Sequence, residues 1–107
     1  MSQSRNSVLL NVTGFQWDDG NWPKCGKHGL EREDIESVFR LAPAVHPDPK
    51  HSSMEARLLA IGQGGSGRWI LVAFTLRSRN GGTYIRPISA RYMHDREVAH
   101  YVQQRRA

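Results

Sequence analysis

The chain has 107 residues, and its 15 Lys and Arg outnumber 10 Asp and Glu to give a formal net charge of +5. A chain of this length buries only about 60–65% of the surface that its unfolded form exposes, so we expect a single domain over residues 1–107 and exclude two domains. One cysteine excludes an internal disulfide, and no apolar run approaches the ~18 residues that cross a bilayer. These features predict a cytoplasmic protein without membrane contact.

The first third of the chain predicts one strand and two helices. Residues 1–6 are polar and are expected to be disordered, and Ser7 to Trp17 has the alternation typical of a strand. Trp22 to Gly29 carries a proline suited to a first helical turn and a glycine suited to a helix end, so we expect a short or irregular helix. Apolar residues at helical spacing then predict a regular helix from Arg32 to Leu41.

The rest of the chain predicts a meander and a terminal helix. Ala44 to Ser53 contains two prolines, which leave room for at most a short edge strand. Three antiparallel strands are expected at Arg57–Gln63, Arg68–Arg77 and Thr83–Ala90, and a helix at Asp95–Arg105. The predicted fold class is therefore α+β. It comprises a small antiparallel sheet, made of the N-terminal strand and the meander, with two helices packed on one face and a C-terminal helix.

Two patterns suggest ligands that we do not expect. Gly62 to Gly67 matches G-x-G-x-x-G, but that pattern binds a dinucleotide only where it joins a strand to a helix, and here a strand follows. The five histidines include no i,i+4 pair, and Cys25 has no CxxC companion. The sequence therefore predicts neither a metal site nor a cofactor.

Arginine dominates the basic residues and favours the second half of the chain. A two-residue turn within the Asn-Gly-Gly sequence of the meander places Arg77, Tyr84 and Arg86 on one sheet face in either possible register. Like charges so placed repel and require an anion, either carboxylates of the fold or a phosphate ligand. A four-residue loop after the first meander strand puts Arg57 on the other face, whereas a one-residue bulge among the glycines brings it back to this face, and the sequence leaves that open.

The tripeptide Lys27-His28-Gly29 has two interpretations. Cations in the last turn of a helix interact favourably with its negative end, which would make these residues structural. Alternatively, the imidazole of His28 transfers protons near neutral pH while Lys27 holds an anion beside it. Spacing alone does not decide between the two.

In chain order, several motifs resemble those of the BrnT family. They are Phe15-Gln16-Trp17-Asp18, Lys24-Cys25-x-Lys27-His28-Gly29-Leu30, Pro47-Asp48-Pro49-x-His51-Ser52, Glu55-x-Arg57-x-x-x-Ile61-Gly62, Val72-x-Phe74-Thr75-x-Arg77 and Ile85-Arg86-x-Ile88-Ser89-Ala90-Arg91. Members of that family are ribonuclease toxins of type II toxin–antitoxin systems. The resemblance implies a RelE-like fold, metal-independent endoribonuclease activity on RNA, and neutralisation by a BrnA-like antitoxin that binds operator DNA in an autoregulatory complex.

The resemblance also implies site residues. The catalytic candidates are Lys27, His28, Glu55, Arg57, Arg77 and Arg86, and the RNA-binding candidates are Arg91, Tyr84 and Lys24. RNA is cleaved without metal by in-line attack of its 2′-hydroxyl on the adjacent phosphate, which requires a base, an acid and cations and leaves a cyclic phosphate. We expect His28 to be the acid or base, Glu55 or Lys27 to be its partner, and the arginines to bind phosphate.

A toxin-like scaffold that binds antitoxin or RNA without cleaving it is the alternative function, because the same arginines would serve it. A sequence-specific DNA binder is not supported, since the basic residues lie mainly on predicted strands and neither helix has the pattern of a basic recognition helix.

Overall fold

The structure is a computed structural model that describes residues 11–106. Within that range the chain forms five strands and two α-helices around one sheet. In chain order they are β1 (Val12–Phe15), α1 (Arg32–Arg40), β2 (Ala44–Pro47), β3 (Leu58–Gln63), β4 (Trp69–Arg79), β5 (Gly82–Tyr92) and α2 (Asp95–Arg106). The predicted α+β class is confirmed. The disorder expected for residues 1–6 and the start of the predicted first strand at 7–10 lie outside the described residues.

The sheet has the strand order β1-β5-β4-β3-β2, and its pairs are antiparallel except that β1 runs parallel to β5. The prediction of a purely antiparallel sheet was therefore wrong. Consecutive strands joined by tight turns must run antiparallel, whereas β1 lies beside the strand farthest from it in sequence. No turn dictates the direction of that pair.

The hairpin between β4 and β5 has one of the two registers that the sequence leaves open. Arg79 pairs with Gly82 and Arg77 with Tyr84, so the two-residue turn consists of Asn80 and Gly81. Both turn residues have positive φ, of 49° and 80°, which is the conformation that Asn-Gly hairpin turns require.

The core lies between α1 and one face of the sheet. Ile35 and Val38 of α1 are 0% exposed, and the Phe39 ring meets Phe74 edge to face with centroids 5.0 Å apart. Gly62 permits this approach, because a Cβ there would lie 3.2 Å from Cγ1 of Val38. The apolar stripe that predicts α1 is therefore the stripe that it buries.

The segment between β1 and α1 is anchored by a buried asparagine. Only Lys24–Gly26 forms a 3₁₀ turn there, in place of the expected short helix. Asn21 is 2% exposed; its Nδ2 donates to the carbonyls of Gln16 and Pro87 at 3.0 and 2.9 Å, and its Oδ1 accepts from the Asp18 N–H at 2.8 Å. These bonds hold the segment along β5 in an irregular path.

The C-terminal helix α2 contacts the sheet through Tyr101, in its middle, and Glu97, in its first turn. The rings of Tyr101 and Trp69 meet edge to face at 5.4 Å, and Arg91 donates two bonds of 2.8 Å to the Glu97 carboxylate. Trp69 faces away from its buried neighbour Ile70, so α2 meets the sheet on the face opposite α1. Among the described residues, no helix is both long and apolar enough to span a membrane.

Replacing Asn21 by alanine should destabilise the protein by about 1–3 kcal/mol, because two carbonyls and one N–H would lose their partner in a buried place. Chemical denaturation of the purified protein measures this loss. Asn11→Ala, at an exposed position, is the matched control. Equal stability of the two variants would contradict the anchoring role.

Glu97 should make the stability of the protein sensitive to acid. Chiefly its hydrogen bonds from Arg91, with a further one from the His94 N–H, lower the pKa of this carboxyl from 4.5 to about 2. A carboxyl with a lower pKa when folded stabilises the protein fully above its unfolded pKa, and this contribution is lost as the pH falls from about 4.5 toward 2. Melting temperatures of Glu97→Gln should decline less over this interval than those of the wild type. Parallel declines would contradict the assignment.

Candidate active site

A cleft of about 330 Å³ opens on the sheet face opposite α1. Its floor comes from β3, β4 and β5, whose residues Leu59, Leu71, Ala73 and Ser89 alternate with the residues of the core face. Its rim is polar and charged and consists of His28, Asp48, His51, Arg57 and Arg91. An apolar floor with a few polar groups around it is typical of a ligand site.

His28 reaches the rim from the edge of the sheet. The chain continues alongside β5 after β1, as the Gln16 N–H donates to the Ile85 carbonyl at 2.8 Å. Cys25 then enters the core, where it is 1% exposed and where burial raises the pKa of its thiol. Gly29 follows with a φ of 92° and turns the chain toward α1. His28 lies between these two fixed points, exposed to solvent.

The opposite rim is built around Asp48, in the loop between β2 and β3. Nδ1 of His51 lies 3.1 Å from both carboxylate oxygens of Asp48, and Nε of Arg57 lies 3.4 Å from one of them. Ser52 closes the loop, because its hydroxyl donates to the Asp48 carbonyl and accepts from the Arg57 N–H, both at 2.9 Å. One carboxylate thus holds an imidazole and a guanidinium at the same rim.

Three other arginines of this face, Arg77, Arg86 and Arg91, are each held by a carboxylate. Arg86 donates from Nη1 and Nη2 to Asp18 at 2.7 and 3.1 Å, and Arg77 donates from Nε and Nη2 to Glu55. Each arginine lowers the pKa of its partner carboxyl, chiefly through these hydrogen bonds. Arg91 is bonded in the same way to Glu97 of α2. Carboxylates of the fold therefore offset the like-charge repulsion that the sequence predicts.

Arg57 lies on the same face as these arginines, which decides the alternative that the sequence leaves open. Gln63 pairs with Trp69, so five residues connect β3 to β4. Leu58 consequently pairs with Phe74 on the core face, and Arg57, one position earlier, points the other way and lines the cleft.

Two buried side-chain atoms on this face have no hydrogen-bond partner among the described residues. They are Nε of Arg57 and Oγ1 of Thr75. Thr75 is 3% exposed and pairs with Arg86 across the sheet. An unpaired buried polar group costs about 1–3 kcal/mol of stability. The fold bears this cost at Nε of Arg57 and Oγ1 of Thr75, whose hydrogen-bond donors stay unused.

The structure brings three of the sequence-predicted residues to the cleft, namely His28, Arg57 and Arg91. Arg77, Arg86 and Tyr84 share its sheet face farther along the hairpin. Glu55, expected from sequence as a possible partner of His28, is bonded instead to Arg77 and does not line the cleft. Lys24 and Lys27 are exposed on the segment that carries His28.

Sequence reasoning missed Asp48 and His51. Both occur in the motif Pro47-Asp48-Pro49-x-His51-Ser52, which contributes to the family resemblance but to whose residues the sequence assigns no role in the site. The three-residue spacing of an acid and a histidine within a proline-rich turn is a signal that could have drawn attention to the pair. Within residues 11–106, no three His, Cys, Asp or Glu side chains come together in a group that could hold a metal ion.

Comparison with known proteins identifies the family. A family model described as "Ribonuclease toxin, BrnT, of type II toxin-antitoxin system" matches residues 17–97. No curated protein matches the chain. The matched range includes every residue of the cleft described above and covers most of the chain. The chain therefore belongs to the BrnT family of ribonuclease toxins of type II toxin–antitoxin systems.

Proposed function

We propose that this protein is a metal-independent endoribonuclease toxin of the RelE-like type. It cleaves RNA in the cytoplasm by attack of a 2′-hydroxyl on the adjacent phosphate and leaves a cyclic phosphate end. The observation that carries this proposal is the cleft in which His28 and Arg57 lie at the rim of one apolar floor. Family membership supports the class of activity.

The reaction requires proton transfer and stabilisation of a phosphorane-like charge. An imidazole exchanges protons near neutral pH, and general acid–base catalysis of this kind contributes about 10²–10⁴-fold. His28 is exposed at the rim and is free to approach a bound nucleotide. Lys27, beside it, adds a positive charge that would attract a phosphate.

Arg57 is the arginine best suited to bind the scissile phosphate. Arg77, Arg86 and Arg91 each use two nitrogens in bonds to one carboxylate. Among residues 11–106, the one charged partner of the Arg57 side chain is Asp48, at 3.4 Å, and this side chain is 28% exposed. Its guanidinium consequently keeps more donors for a phosphate, whose oxygens match that fork geometry.

The remaining candidates would contact the RNA on either side of the scissile bond. Arg77 and Arg86 extend the positive face along the hairpin, and in this proposal Glu55 orients Arg77. Tyr84 offers a ring on which a base can stack. Lys24 and Arg91 would meet backbone phosphates, which are the usual non-specific contacts of a nucleic-acid site.

An antitoxin partner follows from the type of system to which the family belongs. We propose that this partner is BrnA-like, blocks the cleft and binds operator DNA as part of an autoregulatory complex. Co-expression provides the cellular test. Growth arrest caused by the protein alone should be relieved by the antitoxin encoded beside it.

Purified protein should cleave naked RNA equally well with and without EDTA, and the new ends should carry a cyclic phosphate. Gel analysis with mass spectrometry of the products measures both. Cleavage that EDTA abolishes would exclude the metal-independent mechanism. Binding of RNA without any cleavage would favour the scaffold function instead.

His28→Ala should lower the cleavage rate about 10²–10⁴-fold, and Arg57→Gln about 10²–10³-fold, since each removes a group that acts in the transition state. The matched controls are His100→Ala on α2 and Arg40→Gln on α1, which change exposed residues outside the cleft. Single-turnover rates on one short RNA measure the differences. Full activity of His28→Ala would reject the assignment.

A further inference from the structure

The proposed reaction needs both a base and an acid, and His28 can act as only one of them in a given step. A base must take the proton of the 2′-hydroxyl as the oxygen–phosphorus bond forms. An acid must give a proton to the 5′-oxygen as the phosphorus–oxygen bond breaks. In-line attack places these oxygens on opposite sides of phosphorus, so the two groups must face each other across the substrate.

We propose that His51 is the second proton-transfer group and acts across the cleft from His28. This inference rests on the proposed function. Both imidazoles line the same cleft. His28 arrives from the segment beside β5, and His51 from the 3₁₀ turn that follows β2. Because β4 and β3 lie between β5 and β2 in the sheet, the two residues occupy opposite rims.

Asp48 orients His51 for this role. Its carboxylate lies 3.1 Å from Nδ1, so that nitrogen carries a hydrogen directed at Asp48 and Nε2 remains for the cleft. A carboxylate in this position also stabilises the imidazolium that forms when the ring takes up a proton. The same carboxylate lies 3.4 Å from Arg57, so the proton-transfer group and the phosphate-binding cation have a common anchor.

A purely structural role explains His51 less well. Its side chain is 59% exposed, compared with 13% for Asp48, so the ring buries little surface and its contact with Asp48 contributes little to stability. The loop is closed by Ser52, whose hydroxyl bridges Asp48 and Arg57. His51→Ala should therefore fold with a melting temperature close to that of the wild type.

The test compares two versions of one short RNA, with either oxygen or sulfur as the 5′ leaving atom. A thiolate leaves without protonation, so the sulfur substrate needs the base but not the acid. His28→Ala and His51→Ala should each cleave the oxygen substrate about 10²–10⁴-fold more slowly than wild type. On the sulfur substrate one of the two variants, the one that lacks the acid, should regain the wild-type rate. The other should stay slow.

His100→Ala is the matched control and should cleave both substrates as the wild type does. Wild-type speed of His51→Ala on the oxygen substrate would overturn the assignment, as would recovery of both variants or of neither on the sulfur substrate. These outcomes leave the ribonuclease function intact, because they require an active wild-type protein. If the wild-type protein cuts neither substrate, the proposed function itself fails and this assignment fails with it.

Discussion

The pairing of arginines with carboxylates on one sheet face is the interaction on which the rest of this structure depends. Arg57, Arg77, Arg86 and Arg91 share that face, and neighbouring guanidinium groups on adjacent strands would repel each other without counter-charges. Each has an acidic partner from outside the β3–β5 meander. The lowered pKa of the carboxyls that face Arg77, Arg86 and Arg91 is the electrostatic signature of this pairing.

These ion pairs connect surface segments to the sheet. Asp18 ties the segment that carries His28 to β5, and Asp48 ties the turn that carries His51 to the start of β3. Partly exposed pairs add little to the free energy of unfolding, so their main physical effect here is to orient the segments. The residues proposed to transfer protons thus lie on segments that arginine–carboxylate pairs tie to the sheet.

This arrangement determines which residues carry the net charge of +5 that carboxylates do not neutralise. The arginine–carboxylate pairs are close to neutral, so they contribute little long-range attraction for RNA. Lys24 and Lys27 are exposed on the segment that carries His28 and add positive charge there. Inside the cleft, Arg57 retains donors for a phosphate because its link to Asp48 is long. In the proposed function, the two lysines would therefore attract RNA at a distance, and Arg57 would bind its phosphate on contact.

Local patterns in the sequence determined much of the fold and part of the site. The apolar spacing of α1, the two-residue turn within Asn-Gly-Gly and the shared face of Arg77 and Arg86 follow from periods of a few residues, and all three are confirmed. The tertiary structure alone decided that β1 runs parallel to β5, because no turn joins these strands. It also decided which carboxylates face the arginines and that His28 and His51 share one cleft. Arg77 and Glu55 are 22 residues apart and Arg86 and Asp18 are 68 apart, so packing around the sheet, and not local sequence, brings such partners together.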